Sequence, residues 1–192
     1  MLAPAMNRLM LVVAMFLALG CSPAAVQSPP EGATRAPGAA ATASVVVSTF
    51  APSGPTEEAQ VVRVVDGDTI IVEVGGLEER VRYIGMDAPE SVRPSFPIEE
   101  WGREASAANA DLVEGESVVL ERDVSDTDRF GRLLRYVWLH EDTGEWLLVN
   151  LELVRLGYAN AGSFPPDVKY NDEMHTAERE ARDADRGLWG SP

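Results

Sequence analysis

The sequence predicts an α+β fold, a five-stranded β-barrel carrying about three helices. Three observations point to it. Valine-rich and β-branched runs recur at short intervals between turn signals. A helically spaced apolar pattern interrupts them after the third run, and helical segments close the chain. The order, three strands, a helix, two strands and then helices, is that of an OB-type barrel.

The first strand is read from the valines of Gln60–Val65 and the second from Thr69–Val74, with Asp66-Gly67 as the hairpin signal between them. Gly75-Gly76 makes the next turn, and a third strand runs from Glu79 to Met86. Ser91 to Pro97 reads as a proline-bearing loop. A helix from about Ile98 to Val113 follows from the spacing of Trp101, Ala105, Ala108 and Leu112, and Glu114-Gly115 end it. Ser117–Val124 is a fourth strand and Leu133–His140 a fifth, with Trp146–Val149 extending the sheet. Asn150–Leu156 reads as a helix capped by Gly157, and Val168–Arg186 as the last helix, stopped by Gly187.

Ahead of the barrel the chain carries an address. Asn7-Arg8 precede an apolar run from Leu9 to Leu19, the pattern of a secretory signal, and the run falls short of the ~20 residues that span a bilayer. Cys21, the one cysteine, follows Ala18-Leu19-Gly20 in a sequence resembling a bacterial lipoprotein box, although leucine is more usual where Ala18 stands. Residues 22–56 are rich in Ala, Pro, Ser, Thr and Gly and bury too little apolar surface to offset ordering entropy. The domains expected are a signal peptide over residues 1–20, a lipidated Cys21 and disordered tether over 21–57, and the barrel domain over 58–192. An exported protein is expected, either a cell-envelope lipoprotein anchored outward by Cys21 or secreted, and monomeric.

The net charge is −15, and the first 56 residues hold only Arg8, Glu31 and Arg35, so the acidity lies in the barrel domain. Such a surface disfavours tight non-specific binding to a polyanion. A single cysteine excludes an internal disulfide and a multi-cysteine zinc site, and the glycine-rich phosphate loops are absent. His140 and His175 have no nucleophile beside them in sequence.

The chemistry is carried by Asp68, Arg82, Asp87, Glu90 and Arg132. Asp68 at the start of the second strand and Asp87 at the end of the third can reach one end of the barrel if those strands pair. Two carboxylates, a backbone carbonyl and water suit an open site for Ca²⁺, and Mg²⁺ also accepts these residue types. An EF-hand built on Asp126-x-Asp128 fails, because Phe130 stands at the next ligand position. A glutamate can activate water, and two guanidinium groups can grip a phosphate.

These segments resemble one family. Asp66-Gly67-Asp68-Thr69, Arg82 with Asp87-Ala88-Pro89-Glu90, Asp128-x-Phe130-Gly131-Arg132 and the terminal Ala181…Gly187-Leu188-Trp189 together are similar to the thermonuclease, or micrococcal nuclease-like, family, over about Gln60 to Trp189. The resemblance implies an OB-fold nuclease that needs Ca²⁺ and cleaves DNA, RNA or both to products with a 3′ phosphate. It implies that Asp68, Asp87 and the Ala88 carbonyl hold the metal, that Glu90 is the general base, and that Arg82 and Arg132 bind the phosphate. Arg129-Phe130 stand where some members have Lys-Tyr, and Gly162-Ser163-Phe164-Pro165-Pro166 lacks a tyrosine pair common in the family. Arg129, Phe130, Phe164 and Tyr170 are the substrate-binding residues expected in their place. A non-catalytic nucleic-acid-binding domain and a structural envelope lipoprotein are the other readings, and retention of all five charged positions favours the nuclease.

Overall fold

The computed structural model describes residues 50–91 and 99–190. β1 (Thr56–Asp66), β2 (Thr69–Val74) and β3 (Leu77–Tyr83) form an antiparallel meander. β1 also pairs antiparallel with β5 (Ser117–Glu121), which pairs with β6 (Leu133–His140). A short parallel ladder between β3 and β6, Val81 to Leu133 through Tyr83 to Arg135, closes the five strands into a barrel of OB topology. β7 (Trp146–Leu148) extends β6. The two-residue strands β4 (Met86–Asp87) and β8 (Asn160–Ala161) pair separately. The helices are α1 (Gly102–Val113), α2 (Val149–Arg155) and α3 (Asn171–Asp183), with a 3₁₀ turn over Gly187–Trp189.

Alternation along the strands fills the barrel with Val61, Ile70, Val72, Val81, Leu120 and Val137, all buried. Each such side chain contributes roughly 1.5–3 kcal/mol of burial. β6 is covered on both faces: Trp138 and Tyr136 pack edge-on against Tyr170, and Phe50 lies 5.2 Å from Trp138 between ring centroids. Glu121, fully buried on the neighbouring strand, is satisfied by the Trp138 Nε1–H (2.8 Å), the Tyr170 hydroxyl (2.9 Å), the Ser53 and Gly54 N–H groups and Lys169.

The structure differs from the sequence expectations at element ends. The chain packs on the barrel from Phe50 and β1 begins at Thr56, ahead of the expected start at Glu58, because Ser53 and Gly54 donate to Glu121. The hairpin loop between β1 and β2 is Gly67-Asp68, with Asp66 still paired to Thr69. The third strand stops at Tyr83, short of Met86: Gly85 takes φ 80°, a left-handed conformation that breaks the strand and turns Met86-Asp87 toward β8. Asp87 therefore sits on β4. Asn150 satisfies the backbone freed by this break, donating to the Ile84 and Arg135 carbonyls and accepting from the Val137 N–H. The fourth strand ends at Glu121 before Val124, and the last helix spans Asn171–Asp183 inside the expected Val168–Arg186. The first helix begins at Gly102, after Trp101 at φ 65°. Ile98, and the expected loop apart from Ser91, lie outside the described residues, as do residues 1–20 and Cys21.

α1 is tied to the β1–β2 turn by one relay. The buried Tyr83 hydroxyl donates to Asn109 Oδ1 (2.9 Å), and Asn109 Nδ2 donates to the Asp66 carbonyl (3.0 Å). Burial drives the Tyr83 phenol far above its ordinary range, so it stays protonated and keeps donating.

Candidate active site

Asp68 stands in the turn between β1 and β2 and is 2 % exposed. Its Oδ1 accepts from the Thr69 hydroxyl (3.1 Å) and its Oδ2 from the Ala88 N–H (3.1 Å), while its own N–H donates to Asp66 Oδ1 (3.1 Å). The β2–β3 register sets Thr69 opposite Arg82, which brings the Arg82 guanidinium to the turn. Arg82 then bridges two carboxylates: Nη1 donates to Asp68 Oδ1 and Nη2 to Asp87 Oδ1 at 2.6 Å. Asp87, displaced onto β4 by the Gly85 break, keeps a solvent-facing carboxylate with a side chain 65 % exposed.

Burial pushes the Asp68 carboxyl well above the ordinary carboxylate range; Arg82 opposes the shift and Asp66 adds to it. The two carboxylates share one guanidinium. Both donors are hard oxygens, one buried and one open to water. That donor set fits a hard divalent cation at an open site. Among the described residues no group of three or more His, Cys, Asp or Glu side chains gathers as a metal cage.

Arg132 closes a tight turn headed by Asp128. The Asp128 N–H donates to the Arg132 carbonyl (2.9 Å), and Asp128 Oδ1 accepts from the N–H groups of Phe130 (2.8 Å) and Arg132 (3.0 Å). Asp128 Oδ2 accepts from Arg132 Nε (2.7 Å) and lies 2.7 Å from Nη2. Arg82 and Arg132 line one cleft of about 240 Å³ together with Met86, Asp128, Phe164 and Asp167. Two always-charged, fork-shaped donors converging on one cleft make an oxyanion site suited to a phosphate.

The family model described as staphylococcal nuclease homologue matches residues 80–191, from within β3 to the end of the fold. The chain belongs to that family. Individual relatives match over a longer stretch than the family model does. The thermonuclease of Staphylococcus hyicus is 36 % identical over 132 residues, 69 % of this chain and 75 % of the relative. That of Staphylococcus intermedius is 39 % identical over 127 residues, 66 % of this chain and 73 % of the relative. Endonuclease YncB of Bacillus subtilis is 34 % identical over 128 residues, covering 66 % of this chain and 59 % of the relative.

Within this nuclease-homologue fold the expected residues divide. Asp68, Arg82 and Asp87 are joined by direct contacts, and Arg132 shares the cleft with Arg82. Ala88 meets Asp68 through its N–H. Glu90 does not line that cleft; its backbone is fixed at the entry to α1, with its N–H on Glu99 Oε2 (3.2 Å) and its carbonyl accepting from the Glu99 N–H (3.0 Å). Gly102 packs so closely on this segment that a Cβ there would lie 2.6 Å from the Glu90 carbonyl oxygen. Phe130 is 69 % exposed, with the Arg129 guanidinium 4.6 Å and that of Arg132 5.6 Å from its ring centroid. Phe164 is half exposed at the cleft.

Tyr170 is a correction. It is buried among Tyr136, Trp138 and Phe50, and its hydroxyl donates to Glu121, so it offers no phenol to a substrate. Other contributors were given no role in the sequence reading, although Asp66, Thr69 and Asp128 stand in its motifs. Thr69 and Asp66 shape the Asp68 environment, and Asp128 holds Arg132. The sequence signal for Asp128 was its place four residues before Arg132 with a glycine between. Asp167, whose Oδ1 accepts from the Val124 (3.0 Å) and Ser125 (2.7 Å) N–H groups, had no such signal.

Proposed function

We propose that the protein is a Ca²⁺-dependent nuclease that hydrolyses phosphodiester bonds of DNA, RNA or both. The observation that carries this reading is the cleft in which Arg82 and Arg132 converge, with Arg82 also spanning Asp68 and Asp87. The nuclease names of the relatives support it. Asp68 and Asp87, with the Ala88 carbonyl, would hold the ion. When bound, Ca²⁺ supplies positive charge against the phosphate.

The chain's own residues do the rest. Arg82 and Arg132 orient the scissile phosphate and offset the negative charge that builds in the five-coordinate transition state, where preorganised donors act most strongly. Arg132 steadies the departing 5′ oxygen, leaving a 3′ phosphate on the product. Glu90 takes the proton of the attacking water. Phe164 at the cleft and exposed Phe130, flanked by Arg129, give flat apolar surfaces on which bases stack. The acidic surface, net −15, keeps ground-state affinity for the polyanion low. The protein acts as a monomer, exported and anchored outside the cell by a lipid on Cys21, with the segment up to the barrel as its tether.

Glu90→Gln tests the base assignment on the purified protein with denatured DNA. Cleavage slows by roughly 10²–10⁴-fold, the usual worth of general base catalysis, while Ca²⁺ binding by calorimetry is retained. Wild-type rates in that variant would remove Glu90 from the chemistry.

A further inference from the structure

We infer that Asp128 is a positioning residue for Arg132: its carboxylate holds the inner edge of the guanidinium so that the outer edge is presented to a phosphate in the cleft. The inference rests on the nuclease reading of that cleft and names a residue which that reading does not use.

The geometry is specific. A guanidinium carries five N–H donors. Asp128 Oδ2 occupies the Nε side, 2.7 Å from Nε and 2.7 Å from Nη2, leaving the Nη1 group and the outer Nη2 N–H for a ligand. The same carboxylate is itself fixed, because Oδ1 is engaged by the Phe130 and Arg132 backbone N–H groups. Side chain and loop are therefore locked together by one group, with Asp128 16 % and Arg132 25 % exposed. Burial works to raise the Asp128 carboxyl, but the hydrogen bonds from Arg132 and Phe130 outweigh it and hold it below the ordinary range, so it remains an anion at neutral pH. An arginine with many rotamers is thereby set before substrate arrives, and misplacement of such a group by an ångström costs about 10²-fold in rate.

Asp128→Asn separates anchoring from loop folding. The amide oxygen can still accept from the two backbone N–H groups, while the amide nitrogen places donors against the donors of Arg132. A double-mutant cycle with Arg132→Ala is read on cleavage of a single-stranded oligonucleotide in Ca²⁺ and on affinity for inorganic phosphate followed by NMR. The expected result is a fall in kcat of about 10- to 100-fold for Asp128→Asn, a smaller fall in phosphate affinity, and loss of both effects once Arg132 is alanine. A loss that persists undiminished in the Arg132→Ala background, or no loss at all, overturns the assignment. The wild-type protein adds a readout that needs no variant: the Arg132 Nε–H should exchange slowly, and rapid exchange overturns the anchoring. Phosphate binding without cleavage would contradict the nuclease reading alone, and the phosphate arm of the cycle would still decide the role of Asp128. A wild-type protein that binds no phosphate contradicts both.

Discussion

At Tyr170 a phenol that looks available in the sequence is spent on the fold. Its hydroxyl is one of several donors that make the fully buried Glu121 tolerable, and its ring stacks edge-on with Tyr136 and Trp138. Tyr170→Phe should therefore cost about 1 kcal/mol, the net worth of one buried hydrogen bond, or more because Glu121 keeps its charge. Urea unfolding reads that loss, and KM for an oligonucleotide should stay unchanged; a raised KM with unchanged stability would return Tyr170 to the substrate site. Asp68, Arg82 and Asp87 were singled out by a motif with fixed spacing. The occupation of a hydroxyl by Glu121, 49 residues away, depends on how the barrel and α3 meet, which no local pattern encodes.

At the scale of elements, β2 and the long β6 run where their β-branched and apolar residues place them, since such strands are set by side-chain pattern. β3 does not. Val81, Tyr83 and Ile84 continue an apolar pattern into Met86, and only the left-handed Gly85 divides it. Periodicity cannot register a backbone break of that kind, yet it is what turns Asp87 onto β4 within reach of Arg82. A comparable constraint lies at the start of α1, where Gly102 rests on the Glu90 carbonyl. Gly102→Ala forces the Glu90 segment aside, at a cost of about 1–3 kcal/mol for overpacking. The cleavage rate should fall while the melting transition remains cooperative. Unchanged activity and stability in Gly102→Ala would mean that this close packing does not hold Glu90 in place.

Across the whole molecule, the buried Glu121 contributes to how the fold answers acid. Burial favours the neutral form of Glu121, but its contacts with Lys169, the Ser53 N–H, Tyr170 and Trp138 prevail, and its pKa in the folded state lies below the ordinary 4.5. A carboxyl depressed on folding contributes stability that is fully present above its unfolded value and is lost as pH falls through the folded value. Unfolding free energy should thus drop as pH falls below about 4.5, and Glu121→Gln should remove part of that slope; an unaltered slope would assign acid sensitivity to other carboxylates. The same network draws Ser53 and Gly54 onto the barrel, so the fold reaches earlier in the chain than its strand pattern indicated.

The order of strands and helices, and hence the OB barrel, was legible because each unit carries its own period and its own turn. The site was legible as a set of residue types. Its connection, Arg82 across two carboxylates, was not, because it arises only when the β1–β2 turn, β3 and β4 meet. The reaction proposed for this site is cleavage of phosphodiesters with a divalent ion. The most direct test is the initial rate of cleavage of denatured DNA by the purified protein, in Ca²⁺ and again in excess chelator. Rapid cleavage in Ca²⁺ should stop on chelation and return when Ca²⁺ is restored; no cleavage in Ca²⁺, or a rate indifferent to the chelator, would rule this reaction out.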